Sequence, residues 1–385
     1  MSHEALLRIV IAGGGTGGHL YPGIAVAREI LARRPDAQIS FAGTAAGIEA
    51  RVIPREGLTL DLIRSGGLKG KGIAGRLRGT GLLPLSAIDA WRVLSRRKPS
   101  LVIGVGGYSS GPMVLLAALR RTPTLVLEQN AVPGLTNRLL ARFVDAAAVS
   151  YEEALPYFRG RGFVAGNPVR SEFLRIAQQP ERIASAVARV LVFGGSQGAH
   201  AINVAMVEAA PRLAAAGGRC ELVHQTGERD VEMVREAFRR AGLQAHVEPF
   251  SYEMDREVNQ ADLLVCRAGA TTLAELTAAG RPAILIPLPT ATDDHQRRNA
   301  DVLRRAGAVE VIDQRDLTGD ALAERILALV ADPGRRREMA KAARHLARPD
   351  AAARIVDRAL ELAGDRGGRR GPSARLPRWG RRWGT

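Results

Sequence analysis

The sequence predicts an α/β protein of two domains, each a parallel sheet wrapped by helices. Three observations carry this. At 385 residues the chain exceeds what one ordinary hydrophobic core supports. Short β-branched runs alternate with segments of helical periodicity along most of it. A strand-like run that enters a glycine loop and then a helix occurs three times: IVIAGGGTGGHLY at 9–21, LVIGVGGYSSGP at 101–112 and VLVFGGSQGA at 190–199. A glycine loop on a helix N-terminus offers unpaired N–H groups and the positive end of the helix dipole to an anion. Taken alone, such a loop is either a nucleotide site or a tight α/β turn. Its recurrence in both halves implies one nucleotide-type unit per half.

In the first half, strands are predicted at 8–12, 38–42, 58–63, 100–105, 124–127 and 145–150, with helices at 22–31 and 113–119. The fifth strand ends in Glu128-Gln129-Asn130, polar residues at the strand end where parallel sheets hold ligands. Gly166-Asn167-Pro168 is a turn signal that closes the first domain, 1–167, and leaves Arg170 at the hinge. The second domain is expected over 168–345, with strands at 190–193, 219–224, 245–248, 263–266, 283–286 and 309–312. Gly269 opens a helix in which Glu275 lies about a turn and a half inside. A carboxylate there either reaches a ribose diol or is an exposed helical glutamate. The loop at 286–300 carries His295, Gln296 and Asn299 at the lip of the sheet. One last helix is predicted over 333–363, followed by a Gly-, Pro- and Arg-rich tail at 366–385 of disordered composition.

Composition narrows the function classes. Aromatics make up 4% against 46% hydrophobic residues, which argues against a stacking platform for single-stranded nucleic acid. Cys220 and Cys266 fall in apolar strand-like runs and read as buried thiols, not as a disulfide or metal site, so a reducing cytoplasm is expected. No signal peptide is expected in the first residues, and the longest uncharged stretch, 99–119, is broken by GVGGYSSGP and is not expected to span a membrane. Net charge is +16, with seven arginines and no acid in 366–385. That raises nucleic acid as a partner. Only four of the 55 basic residues are lysine, a skew that reflects genome composition more than ligand choice, and no nucleic-acid partner is expected. The segment 65–91 interleaves Leu68, Ile73, Leu77, Leu82, Leu83, Leu85 and Trp91 with Lys69, Lys71, Arg76 and Arg78. It suits an anionic membrane surface, or else an ordinary loop and helix whose leucines pack inward. Asp293 and Asp294 are adjacent and lack the D-x-D spacing of a metal clamp. No metal and no cofactor are expected.

Read together and in order, GGGTGGH (13–19), GVGGYSSGP (104–112), EQN (128–130), GNPVR (166–170), GGSQGA (194–199), CRAGATTLAE (266–275) and DDHQRRNA (293–300) resemble the MurG family. Its members move N-acetylglucosamine from UDP-N-acetylglucosamine to lipid I, giving lipid II for peptidoglycan synthesis. The resemblance implies a GT-B glycosyltransferase at the cytoplasmic face of the membrane. Two Rossmann-like domains would face each other across a cleft, and a C-terminal helix at 346–365 would return to the first domain. Donor contacts would fall on Thr16, Gly17, Gly18, Asn130, Arg170, Ser196, Ser251, the run Ala270, Thr271, Thr272, Leu273, Ala274 and Glu275, and Gln296. Glu275 would take the ribose hydroxyls and Gln296 the sugar, while Ser251 would contact uracil through its backbone. Tyr108, Gly106 and Gly107 would meet the acceptor, and Arg170 would add a mobile cation. Ser196 and its glycine loop at a helix N-terminus would stabilise the departing diphosphate without metal. The acceptor hydroxyl needs a base on the opposite face, so the anomeric carbon would invert. His19, kept neutral by the helix dipole, and Glu128 are the two candidates. The resemblance implies as partners lipid I, an anionic membrane surface through 65–91 and other cell-wall synthesis proteins. Two rivals share the fold: a transferase acting on diacylglycerol or another prenyl-linked acceptor, and a UDP-sugar epimerase.

Overall fold

The computed structural model describes residues 6–65, 82–177, 187–195, 197–291 and 294–364. Two all-parallel sheets are built from thirteen strands. The first contains β1 (Arg8–Gly13), β2 (Gln38–Gly43), β3 (Thr59–Leu62), β4 (Leu101–Gly106), β5 (Thr124–Glu128), β6 (Ala146–Val149) and β7 (Gly162–Val164), in the order β3-β2-β1-β4-β5-β6-β7. The second contains β8 (Ala188–Phe193), β9 (Cys220–Gln225), β10 (Ala245–Glu248), β11 (Leu263–Cys266), β12 (Ala283–Leu285) and β13 (Val309–Val311), in the order β10-β9-β8-β11-β12-β13. Strand order reverses between β1 and β4 and between β8 and β11, and the crevice beyond such a reversal is where open α/β sheets bind ligands. The three glycine loops leave β1, β4 and β8. Both sheets are buried on both faces, which is why their strands read as continuous apolar runs such as Ile9-Val10-Ile11 and Leu191-Val192.

The helices of the first half are α1 (Gly17–Arg33), α2 (Glu49–Arg55), α3 (Leu83–Arg97), α4 (Ser110–Leu119) and α5 (Leu135–Leu140). Those of the second are α6 (Ser171–Ala177), α7 (His200–Ala215), α8 (Val231–Arg240), α9 (Met254–Gln260), α10 (Ala270–Ala279), α11 (His295–Arg305), α12 (Gly319–Ala331), α13 (Pro333–Leu346) and α14 (Ala351–Gly364). Helix α1 starts at Gly17, five residues before the predicted start at Pro22, so His19 lies in its first turn. Pro22 has no N–H to donate to the carbonyl four residues back, which is Gly18. That oxygen is left for another partner.

The single last helix predicted at 333–363 is two helices. Pro349 cannot continue the hydrogen-bond ladder and disfavours helical backbone at Arg348. Helix α13 accordingly ends on Ala347 in extended conformation, ψ 145°. Helix α13 stays with the second sheet, packed on α10, whereas α14 lies on α1. Ile355, Val356, Ala359 and Leu362 of α14 join the core formed by Ile9, Ile11, Leu20 and Phe41. Asp357 receives Arg33 of α1 at 2.5 Å. The chain therefore passes between the two sheets twice. The passages touch: a Cβ on Gly166 would collide with Arg348 and lie 3.3 Å from the Ala351 methyl group. Among the described residues no helix is long and apolar enough to cross a membrane.

Candidate functional site

The first wall of the site is made where the loops after β1 and β4 meet. Gly14 N–H donates to Gly106 O at 3.4 Å. The His19 ring lies against Gly106, where φ is +98° and any Cβ would stand 2.5 Å from the imidazole Cδ2, so glycine is required there. His19 Nδ1 is 3.2 Å from Thr16 Oγ1. Its pKa is depressed to about 4, chiefly by burial and secondly by the charge of His295, and the ring is neutral. Burial thus does what the sequence reasoning assigned to the helix dipole. The β1 loop has its own anchor, unanticipated from sequence. The carboxylate of Glu49, 1% exposed, accepts Gly15 N–H, Thr44 N–H and Thr44 Oγ1–H at 2.8, 2.8 and 2.9 Å. Burial alone would raise its pKa, but these bonds outweigh it and the group titrates below the usual range. Gly15 N–H is therefore already bonded.

Glu128, 3% exposed, is equally engaged. Its Oε1 accepts Asn130 N–H and Nδ2–H, and its Oε2 accepts Gly134 N–H and Asn137 Nδ2–H, all within 2.9–3.1 Å. Burial nevertheless drives its pKa upward. The carboxylate shapes the 128–134 loop. Tyr108 is half exposed beyond Gly106 and Gly107.

The second wall is made where β8 and β11 end. In the 194–199 loop Gly198 has φ +72° and its Cα abuts Thr226 O, which leaves no room for a Cβ. Gln225 Nε2–H donates to Gly195 O at 3.0 Å and to Pro249 O at 3.4 Å, tying this loop to the segment before Ser251, itself buried. Ser196 lies outside the described residues. Arg267, directly after β11, donates to the Ile286 and Pro287 carbonyls and, at 2.7 Å, to Gln314 Oε1. Burial lowers its pKa. Gln296 Oε1 accepts Leu288 N–H at 3.0 Å.

Between the walls is a cleft of about 730 Å³. The N-terminal turns of α1, α7, α10 and α11 contribute Thr16 and Gly18, His200, Thr271 and Thr272, and Gln296 to its lining. Among the described lining residues there is no carboxylate, and the basic side chains are His200 and Arg267. Four helix N-termini, the Arg267 guanidinium and no acid among the described lining residues suit an anion. The walls are joined by direct bonds. Thr271 Oγ1–H donates to Gly18 O, the oxygen freed by Pro22, at 3.1 Å. Asn299 accepts Ala131 N–H at 2.9 Å and donates to Asn130 Oδ1 at 3.1 Å. Arg305 reaches Glu153 at 3.0 Å.

Of the residues singled out in sequence, Thr16, Gly18, Ala270, Thr271, Thr272 and Gln296 line this cleft, and Gly17 lies in the same turn of α1. The run 270–275 does not act as one block, because a helix turns about 100° per residue. Leu273 is core at 1% exposed, and Ala274 faces a second space of about 560 Å³ beside Tyr151 and Asn167. Glu275 is bonded to Arg170 Nε at 2.8 Å. The Arg170 guanidinium stacks over Phe173 at 4.7 Å and Tyr21 at 5.3 Å, a held cation where sequence suggested a mobile one. Burial raises the Glu275 pKa against the pull of Arg170. Sequence reasoning passed over Glu49, Arg267, His200 and Gln314. Of these, Arg267 had a signal, its place at the carboxyl end of a parallel strand.

Residues 9–149 match the glycosyltransferase family 28 N-terminal domain and residues 189–355 match the family's C-terminal domain. With its two parallel sheets on either side of a cleft, the protein is a GT-B glycosyltransferase. It is 48% identical over 372 residues to the UDP-N-acetylglucosamine--N-acetylmuramyl-(pentapeptide) pyrophosphoryl-undecaprenol N-acetylglucosamine transferase of Anaeromyxobacter sp. (strain K), covering 96% of this chain and 97% of that protein. The protein of the same name from Geobacter sulfurreducens is 47% identical over 355 residues, covering 91% and 97%. The crystal structure of Acinetobacter baumannii MurG matches with a TM-score of 0.76 at 30% identity, over 92% of this chain and 99% of that one. The chain belongs to the MurG family. A UDP-GlcNAc 2-epimerase from Neisseria meningitidis, at TM-score 0.67 and 14% identity, shares the fold alone.

Proposed function

We propose that the protein transfers N-acetylglucosamine from UDP-N-acetylglucosamine to the muramyl C4 hydroxyl of lipid I, giving lipid II, in one inverting displacement. The observation that carries this reading is the cleft itself, lined by four helix N-termini and the Arg267 guanidinium with no described carboxylate, with the neutral His19 in the turn of α1 that lines it through Thr16 and Gly18. The donor diphosphate rests against the 194–199 loop and the N-termini of α7 and α10, which stabilise negative charge as it develops on the leaving group. The acceptor oxygen attacks the anomeric carbon from the first-domain side. As that bond forms, the bond from the anomeric carbon to the β-phosphate oxygen breaks, UDP departs with the electron pair, and the hydroxyl proton passes to His19. Glu128 supports this wall by fixing the 128–134 loop. Glu275 reaches the ribose diol after exchanging its bond with Arg170, and Gln296 orients the sugar.

The acceptor is presented at a membrane surface. Ile88 and Trp91 of α3, Leu119 of α4, and Leu139 and Phe143 at and after α5 are exposed on helices that pack side by side. Arg120 stacks on Trp91 at 4.5 Å and Arg142 on Phe143 at 4.8 Å. Apolar side chains ringed by arginines suit an anionic lipid surface. This patch extends the one read at 65–91, of which residues 66–81 lie outside the described residues.

The test is transfer from UDP-N-acetylglucosamine to a short-chain lipid I analogue without added metal, read by mass spectrometry, with the product's anomeric coupling read by NMR. A product heavier by one N-acetylhexosamine and β-linked is expected. A retained α-linkage overturns the single displacement, and donor binding without product overturns the acceptor assignment. Co-sedimentation with anionic but not zwitterionic vesicles, lost in Trp91→Glu, tests the surface.

A further inference from the structure

The donor cleft holds a histidine that the family motifs do not single out, with a carboxylate fixed behind it. His200 is the first residue of α7, directly after the 194–199 loop, and its side chain is 53% exposed where it lines the cleft. Its Nδ1 stands 2.9 and 3.1 Å from the two Asp230 oxygens. Asp230 is 6% exposed and held in turn, since Asn203 Nδ2–H donates to Asp230 Oδ2 at 2.8 Å and to Thr226 O at 2.9 Å. Asn203 Oδ1 accepts the Nε2–H of fully buried His224 at 3.0 Å. A chain of fixed polar groups thus runs from the core beneath the sheet to a ring at the cleft.

The arrangement sets both the tautomer and the direction of the ring. With Nδ1–H committed to Asp230, Nε2 is the nitrogen that meets a ligand, and a diphosphate bound there takes the doubly protonated ring, Nε2–H donating. The other basic side chain of the lining, Arg267, already donates to two carbonyls and to Gln314. A diphosphate in a cleft with no lining carboxylate needs a donor beside the 194–199 loop, and His200 is on that loop's helix.

We propose that His200, oriented by Asp230, donates its Nε2–H to the diphosphate of the sugar nucleotide and stabilises the charge that UDP carries away. This rests on the donor placement given under Proposed function. His200 is then a ligand-contacting residue and Asp230 a positioning residue.

The test is calorimetric titration of the full chain and of His200→Ala, His200→Arg and Asp230→Asn with UDP and separately with uridine. Loss of about tenfold in UDP affinity is expected in His200→Ala, with uridine affinity unchanged and His200→Arg restoring most of the UDP binding. Asp230→Asn is expected to lose several-fold on UDP alone, and to lower kcat more than it raises the donor KM. UDP affinity unchanged in His200→Ala overturns the proposal, and so does a parallel loss for uridine, which would mark a structural role. If the unaltered chain binds neither UDP nor uridine, the donor reading falls and this inference with it. If it binds UDP and His200→Ala binds as well, only this inference falls.

Discussion

A carboxylate that already accepts four hydrogen bonds has no ready lone pair for a substrate proton, and Glu128 is in that condition. Glu128→Gln would turn one acceptor into a donor facing Asn130 or Asn137. It is expected to cost about 2–3 kcal/mol of stability and to raise KM as the loop loosens, with a smaller change in kcat. Urea denaturation and steady-state kinetics check this. His19→Ala, by contrast, is expected to lower kcat by about 10²–10⁴ with donor affinity kept, since the base acts only in the transition state. The pH profile separates the two further. His19 works as the neutral ring, and its pKa is depressed to about 4, so activity is lost as pH falls through about 4 and His19 produces no limb near 6.5. A His19-dependent limb near neutrality would contradict this. The residues carrying these roles were legible in sequence because each follows a strand end or glycine loop. The partnerships that fix them were not: Glu49 meets Gly15 across 34 positions and Glu275 meets Arg170 across 105. Nothing local in a sequence encodes a contact made by folding.

Among the elements, α1 and α10 meet through one bond created by a missing one. Pro22 leaves Gly18 O without its helical donor, and Thr271 supplies it from the other sheet. Thr271→Val, nearly isosteric but without the hydroxyl, is expected to lower kcat several-fold at saturating donor, and Thr271→Ser to keep it; equal activity in both would show that the bond joining the two walls does not serve turnover. The strands were readable because buried parallel strands are continuous apolar runs bounded by glycine, whereas the strand order, and with it the two switch points, came only from the fold. The reading of one helix over 333–363 ran through Pro349 because helical periodicity continues on both sides of it, while the family resemblance implied the separate returning helix at 346–365. The extended backbone at Ala347 and the changed partner, from α10 to α1, show that two helices are present.

For the whole molecule, acid stability follows from His224. Burial depresses its pKa from 6.5 to about 3, so the folded state refuses a proton that the unfolded chain accepts. The depressed folded value means the contribution is intact above about pH 6.5 and is lost as pH falls toward 3. Between pH 7 and 4.5 the second domain is expected to lose on the order of 3 kcal/mol, and His224→Gln to flatten that dependence. Urea midpoints at the two pH values check it.

The return of α14 to the first sheet also sets an order of events during synthesis. The first domain's core includes Ile355, Val356, Ala359 and Leu362, which the ribosome makes after the entire second domain. Until they emerge, the face of α1 that α14 covers stays open to water and to any other apolar chain. The second domain, its core drawn from α6 through α13, has no such wait. The half made first is thus completed last, and a ribosome stalled before Pro349 would release a chain with one finished domain and one uncovered core.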